Sequence, residues 1–214
     1  MMTDRSVTAH VKSQHKVELI VEEGVMKGIV FTELIEMVEE DLGIEIADRM
    51  ISGAKTSNDG SYTSVGTYDH AELIQLVISL SAETGIPVPD LVQAFGKHLF
   101  ARFHELYPQF FAGIDSAIDF LPMVEAYIHV EVRKLYPDAE LPSFQCETSG
   151  EMLSMTYQSK RPFADLAEGL IAACITHFGD PIDMTRKDLG AQDGTQACFL
   201  LRPTSDVPAE EVAV

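Results

Sequence analysis

The apolar residues of this 214-residue chain change character after Pro137, and that change limits what the chain can fold into. Before Pro137 they recur at helical spacing; beyond it, Glu151 to Lys160 alternates along a strand period. Val30, Phe31, Leu34, Ile35 and Val38 share one face of an expected amphipathic helix that stops near Gly43, and a short helix follows from Glu45 to Ala54. Lys55 to Thr67, with Asn58-Asp59-Gly60 and Gly66, reads as turn and loop. Three more helices are expected, from Asp69 to Glu83, Pro89 to Tyr107 and Ser116 to Tyr136, separated by Gly85-Ile86-Pro87 and by Pro108 to Gly113. Past Pro137, Phe199 to Arg202 reads as a second strand, and Phe163 to Phe178 as a helix with Leu166, Leu170 and Ile171 on its buried side. The fold class is therefore α+β, a helical N-terminal lobe packed on a C-terminal lobe with an antiparallel sheet and helices. The length suits one domain, or two lobes sharing a core.

Charge narrows the function. The chain carries 34 acidic against 15 basic residues, a formal charge of −19, whereas binding to nucleic acid or an acidic membrane needs a basic surface that displaces counterions. No run of 18 apolar residues is present, and the N-terminus lacks a secretory signal, so a cytoplasmic protein is expected. Cys146, Cys174 and Cys198 are too scattered for a disulfide framework and read as small buried hydrophobes in a reducing compartment. Residues 1–25 are polar and differ from the rest; they read as an N-terminal extension, either a flexible tail or the product of a start placed upstream of Met26. The chain ends in an acidic tail over 203–214, with Glu210 and Glu211, so an output activity is expected in another protein.

Two segments carry chemistry. Val124, Ile128, Val132 and Leu135 form an apolar helical stripe, and His129 sits at its edge, where an imidazole serves either a structural role or a metal. In Tyr157-Gln158-Ser159-Lys160-Arg161, strand alternation sends Tyr157, Ser159 and Arg161 to one face. A phenol, a hydroxyl and a guanidinium in a row suit a carboxylate, whether that of a neighbouring Asp or Glu or that of a ligand.

Met26-Lys27-Gly28, the His129 segment ending in Tyr136-Pro137, and Tyr157-x-Ser159-x-Arg161 occur together in an order and spacing that resemble the H-NOX family. These are haem nitric oxide/oxygen-binding (HNOB) domains related to the haem domain of soluble guanylate cyclase. The resemblance covers residues 26–202 and implies haem b between the two lobes, with His129 as the proximal iron ligand. Tyr157, Ser159 and Arg161 would hold its propionates, and Pro142 would press on the porphyrin. The resemblance also implies a distal gas pocket of Val30, Leu34, Leu99, Phe103, Leu166 and Leu170, all apolar. Bound dioxygen needs a hydrogen-bond donor, which oxygen-binding relatives supply as a Tyr where Leu166 stands here. The expectation is a nitric oxide sensor that also binds carbon monoxide, excludes oxygen and is not itself an enzyme.

Zinc is not expected. Of the Cys and His that form such a site in some relatives, only Cys198 falls at a comparable position, and Cys174-x-x-His177 lacks two further ligands. The implied partner is a histidine kinase or a cyclic-di-GMP synthase/hydrolase. The alternatives are a haem-free adaptor module and a haem-dependent enzyme. The second is disfavoured because Val30, Leu99, Leu166 and Leu170 offer no distal acid or base.

Overall fold

The computed structural model describes residues 25–137, 139–191 and 193–204. A three-residue strand, β1 (Val25–Lys27), leads into α1 (Gly28–Leu42) and α2 (Ile44–Ala54). After the 55–66 loop come β2 (Thr67–Asp69), α3 (His70–Thr84) and α4 (Val88–Leu106). β1 and β2 pair antiparallel, Val25 opposite Asp69. Asp69 also caps α3 by accepting a hydrogen bond from the Ala71 amide at 2.8 Å, and Gly85 stops that helix in the left-handed conformation at φ 74°. The chain bends by 114° between α3 and α4, and no single helix among the described residues is long and apolar enough to cross a membrane. These helices bury Phe31, Leu34, Met50, Leu76 and Phe95 in a first apolar cluster.

A knot at Glu72 holds the loop onto this lobe. Its carboxylate accepts from Ser57, from Asn58 Nδ2 at 3.0 Å and from Tyr62 Oη at 2.7 Å, while the Tyr62 ring stacks on Phe31 with centroids 4.6 Å apart.

The second half forms a four-stranded antiparallel sheet in the order β3 (Ser143–Ser149), β4 (Met152–Gln158), β6 (Gln196–Pro203), β5 (Ile182–Asp188). Leu153, Met155 and Tyr157 of β4 lie on one buried face with Ala197, Phe199 and Leu201 of β6, the period-two pattern of a half-buried strand. α5 (Ala117–Met123) and α7 (Ala164–Phe178) add Phe120, Leu121 and Ile171 to make a second cluster.

α7 joins the two lobes by crossing α4 with backbone against backbone. A Cβ on Gly96 would stand 2.4 Å from the Leu166 carbonyl oxygen, and one on Gly169 would stand 2.1 Å from that of Gln93. Only glycine admits this approach. Leu166 and Leu170 of α7 thus pack against the first cluster while Ile171 packs in the second.

The helical expectations hold to within a residue or two at each end, apart from Ser116 to Tyr136. There the ladder loses a donor at Pro122, residues Val124–Ile128 wind as a π-helical turn, and α6 (His129–Leu135) resumes the α-helix. The strand expected to reach Lys160 stops at Gln158, while β1, β2, β3 and β5 were not anticipated. Val25, grouped with the extension on sequence, opens β1, and Pro203, grouped with the tail, closes β6; residues 1–24 and 205–214 lie outside the described residues.

Gly96→Ala and Gly169→Ala are each expected to lower stability by about 1–3 kcal/mol as an overpacked contact, with a double variant departing from additivity because the two sites touch. Denaturant titration of the three variants measures this. A separate expectation concerns alkali: burial and the Glu72 carboxylate raise the Tyr62 phenol to about 12, so the folded state favours its neutral form. Its contribution is intact below the ordinary phenol value of 10.0 and is lost as pH rises from there through about 12. Tyr62→Phe should weaken the dependence of stability on pH across that window.

Candidate functional site

His129 begins α6 directly after the π turn and is only 8% exposed. Its Nδ1 lies 3.0 Å from Oε2 of Glu125, one helical turn earlier. The same oxygen accepts the Phe144 amide of β3 at 3.2 Å, and Oε1 takes Arg133 at 3.5 Å. Burial pushes the imidazole below its usual range, and Glu125 offsets this only in part. Burial would also raise the Glu125 carboxyl, but the hydrogen bonds it accepts from His129 and Phe144, with the charge of Arg133, hold it below the usual range. A neutral ring facing an ionised carboxylate carries its proton on Nδ1. That leaves Nε2 with the lone pair a metal ion requires.

Phe144 connects this imidazole to the second candidate segment. Its ring lies 5.9 Å from that of His129 and 5.6 Å from that of Tyr157, centroid to centroid. Tyr157, Ser159 and Arg161 do converge, though not as a row on a strand. β4 ends at Gln158, and Ser159 Oγ accepts the Arg161 amide at 3.0 Å, closing a short turn before Pro162. The Tyr157 hydroxyl donates to the Arg161 carbonyl at 3.3 Å, and burial raises its phenol above the usual range, so it stays a donor.

Arg161 is 6% exposed. Its guanidinium donates to the Glu140 carbonyl at 2.9 Å, to Glu140 Oε2 at 2.8 Å and to the Val25 carbonyl, which fastens β1 to the second lobe. Its Nε is buried without any partner. A buried, unsatisfied donor on a charged fork is rare, and an acceptor of the carboxylate type meets its geometry. Of these donors Arg161 Nε is the one left without an acceptor, and it fits a prosthetic group that brings carboxylates. Pro142 stands half-buried immediately before β3.

The six apolar residues gather in the first cluster from three helices, Val30 and Leu34 on α1, Leu99 and Phe103 on α4, Leu166 and Leu170 on α7. Leu34 and Leu99 are fully buried and the other four partly so. Three polar neighbours of this cluster are hydrogen-bonded. Tyr62 bonds Glu72, the Tyr68 hydroxyl accepts the Thr63 amide at 2.9 Å, and Glu33 accepts from His98 at 3.2 Å and from Arg102 at 2.9 Å. Leu170 packs against both clusters and so joins this set to the one around His129, Phe144 and Tyr157.

Glu125 and Glu140 were missed on sequence; the only signal was an acid four residues before His129 and one two residues before Pro142. Two surface depressions, one beside Ile51, Ser52 and Lys55 and one beside Gly53, Ile78 and Ala82, contain none of the candidate residues. Cys174 is buried, its thiol pushed up to about 12 by desolvation, while Cys146 and Cys198 are half-buried. Among the described residues, no group of three or more His, Cys, Asp or Glu side chains is placed to hold a metal ion.

The family model described as Haem-NO-binding (HNOB) matches residues 27–186. No curated protein sequence matches the chain. Among solved structures, the Fe(II) unliganded H-NOX protein from K. algicida is 36% identical, with a TM-score of 0.79 over 85% of this chain and 98% of that one. The H-NOX from Shewanella woodyi, solved in the Fe(II)CO ligation state with IWP-051 bound, is 39% identical, with a TM-score of 0.72 over 88% of this chain and 99% of that one. An H-NOX protein from S. oneidensis in the Fe(II)NO state shares the fold at 24% identity, with a TM-score of 0.76 over 84% and 99% of the two chains. On the family match and these likenesses, the chain belongs to the haem-NO-binding, or H-NOX, family of haem-based gas-sensor domains.

Proposed function

We propose that this chain is a cytoplasmic nitric oxide sensor that holds haem b through His129, also binds carbon monoxide, excludes oxygen and acts on a separate signalling protein. The observation that carries this reading is a pair of buried groups: an imidazole whose Nδ1 is taken by Glu125, and an Arg161 Nε that lacks an acceptor. His129 offers Nε2 to iron, Tyr157, Ser159 and Arg161 take the propionates, and Pro142 bears on the porphyrin. Haem, when bound, would supply a ferrous iron able to bind a diatomic gas.

Selectivity follows from what the six apolar residues lack. Dioxygen bound to ferrous haem carries partial negative charge and depends on a hydrogen-bond donor, whereas nitric oxide and carbon monoxide do not. Leu166 offers no donor, and the Tyr62 hydroxyl of the same cluster already donates to Glu72. His129 is the movable contact. It stands at the junction of a π turn and a seven-residue helix, so that a His129 holding iron would tie the start of α6 to the haem. Two states of that helix with different affinity for gas are what a sensor requires. Family resemblance supports a histidine kinase or a cyclic-di-GMP synthase/hydrolase as partner, and residues 26–202 as the sensing domain.

Absorption spectra of the ferrous protein test the reading. The spectrum in air should equal that under nitrogen, and carbon monoxide and nitric oxide should each change it; an oxygen complex formed in air counts against it. His129→Gly should lose the iron–histidine signature and regain one with added imidazole. Arg161→Ala removes charge-assisted hydrogen bonds of about 1.5–3 kcal/mol each, so haem should dissociate at least about tenfold faster.

A further inference from the structure

Glu125 belongs to no motif, yet its carboxylate makes more of the contacts around His129 than any other side chain. Oε2 is shared between His129 Nδ1 at 3.0 Å and the Phe144 amide at 3.2 Å. Oε1 points to Arg133 at 3.5 Å. Glu125 is itself a residue of the π turn, in which the His129 amide reaches back five residues to the Val124 carbonyl. The carboxylate is therefore held from three sides: by the turn that carries it, by the first residues of β3, and by an arginine one turn beyond the imidazole.

We propose that Glu125 is the positioning residue of His129: it fixes the Nδ1–H tautomer, aims Nε2, and sets the strength of the iron–histidine bond. This rests on the reading of His129 as iron ligand. The physical reason is that an ionised acceptor on one nitrogen of an imidazole draws the N–H proton and leaves the other nitrogen more basic, hence a stronger donor to a metal. A stronger bond is harder for nitric oxide to displace, so Glu125 restrains the release of His129 and sets the threshold at which the sensor responds.

Resonance Raman spectra of the haem-loaded full-length protein and its Glu125→Gln and Glu125→Ala variants, all ferrous and without gas, test this. The iron–histidine stretch is expected to fall in frequency in Glu125→Gln, where a neutral amide replaces the charged acceptor, and further in Glu125→Ala. The reduction potential should rise in the same order, and nitric oxide should displace His129 about tenfold faster in Glu125→Ala, in line with the effect of removing such partners in metal sites generally. An iron–histidine stretch at the unaltered frequency in both variants overturns the proposal while leaving His129 as ligand. If Glu125→Ala does not retain haem, Glu125→Gln decides, and an unshifted band in it is again fatal. A wild-type band that persists in His129→Gly without added imidazole instead overturns the assignment of the ligand, which separates the two failures.

Discussion

The contact on which the rest of this structure depends is the crossing of α4 and α7 at Gly96 and Gly169. Both lobes have their own apolar cluster, and α7 belongs to each, with Leu166 and Leu170 packed against one and Ile171 within the other. Bringing two helices together until their backbones touch removes the gap that side chains at the crossing would impose, and it sets how far Leu99 and Phe103 stand from Leu166 and Leu170. The spacing of these apolar side chains is thus set by two residues that have no side chain.

Buried charge is the second organising element. The chain has few cations, and several are spent inside it. Arg186 gathers Asp165, Glu168 and Asp188; Arg102 meets Glu33, which is almost wholly buried; and Arg161 binds Glu140 and the first strand. Glu33, the buried one of these carboxylates, would be costly to bury without its partner. This use of arginine sharpens the argument from net charge, because basic groups already committed to internal pairs are not available to a polyanion. It also shows why Arg161 stands apart, as the member of this group that keeps a buried N–H without an acceptor.

Legibility in the sequence followed the depth of burial. The helices could be placed because each buries one face, and β4 and β6 could be found because they are the central strands and alternate cleanly between core and surface. β3 and β5 could not: both are edge strands, and Ser143–Ser149 and Ile182–Asp188 are largely polar or charged, with side chains only partly covered. The end of β4 was misplaced because the Ser159 hydroxyl and Pro162 turn the chain there, a local event that alternation does not register. The break before His129 had one signal, Pro122 inside the expected helix, but nothing in the spacing showed that the residues after it wind as a π turn.

His129 and the Tyr157, Ser159 and Arg161 set were visible as residue types whose chemistry suits a metal and a carboxylate, and the apolar character of the six pocket residues was visible as composition. Those are properties of side chains, which a linear sequence states directly. Only the tertiary structure decided that Phe144 stands between the imidazole and Tyr157, that Glu125 faces His129 and ties it to β3, and that the Tyr62 hydroxyl donates to Glu72. Spacing along the chain is blind to such relations, because they depend on where a turn ends and which element packs beside it. The sequence specified which groups the site contains; the packing of α7 and the winding before α6 specified which of them meet.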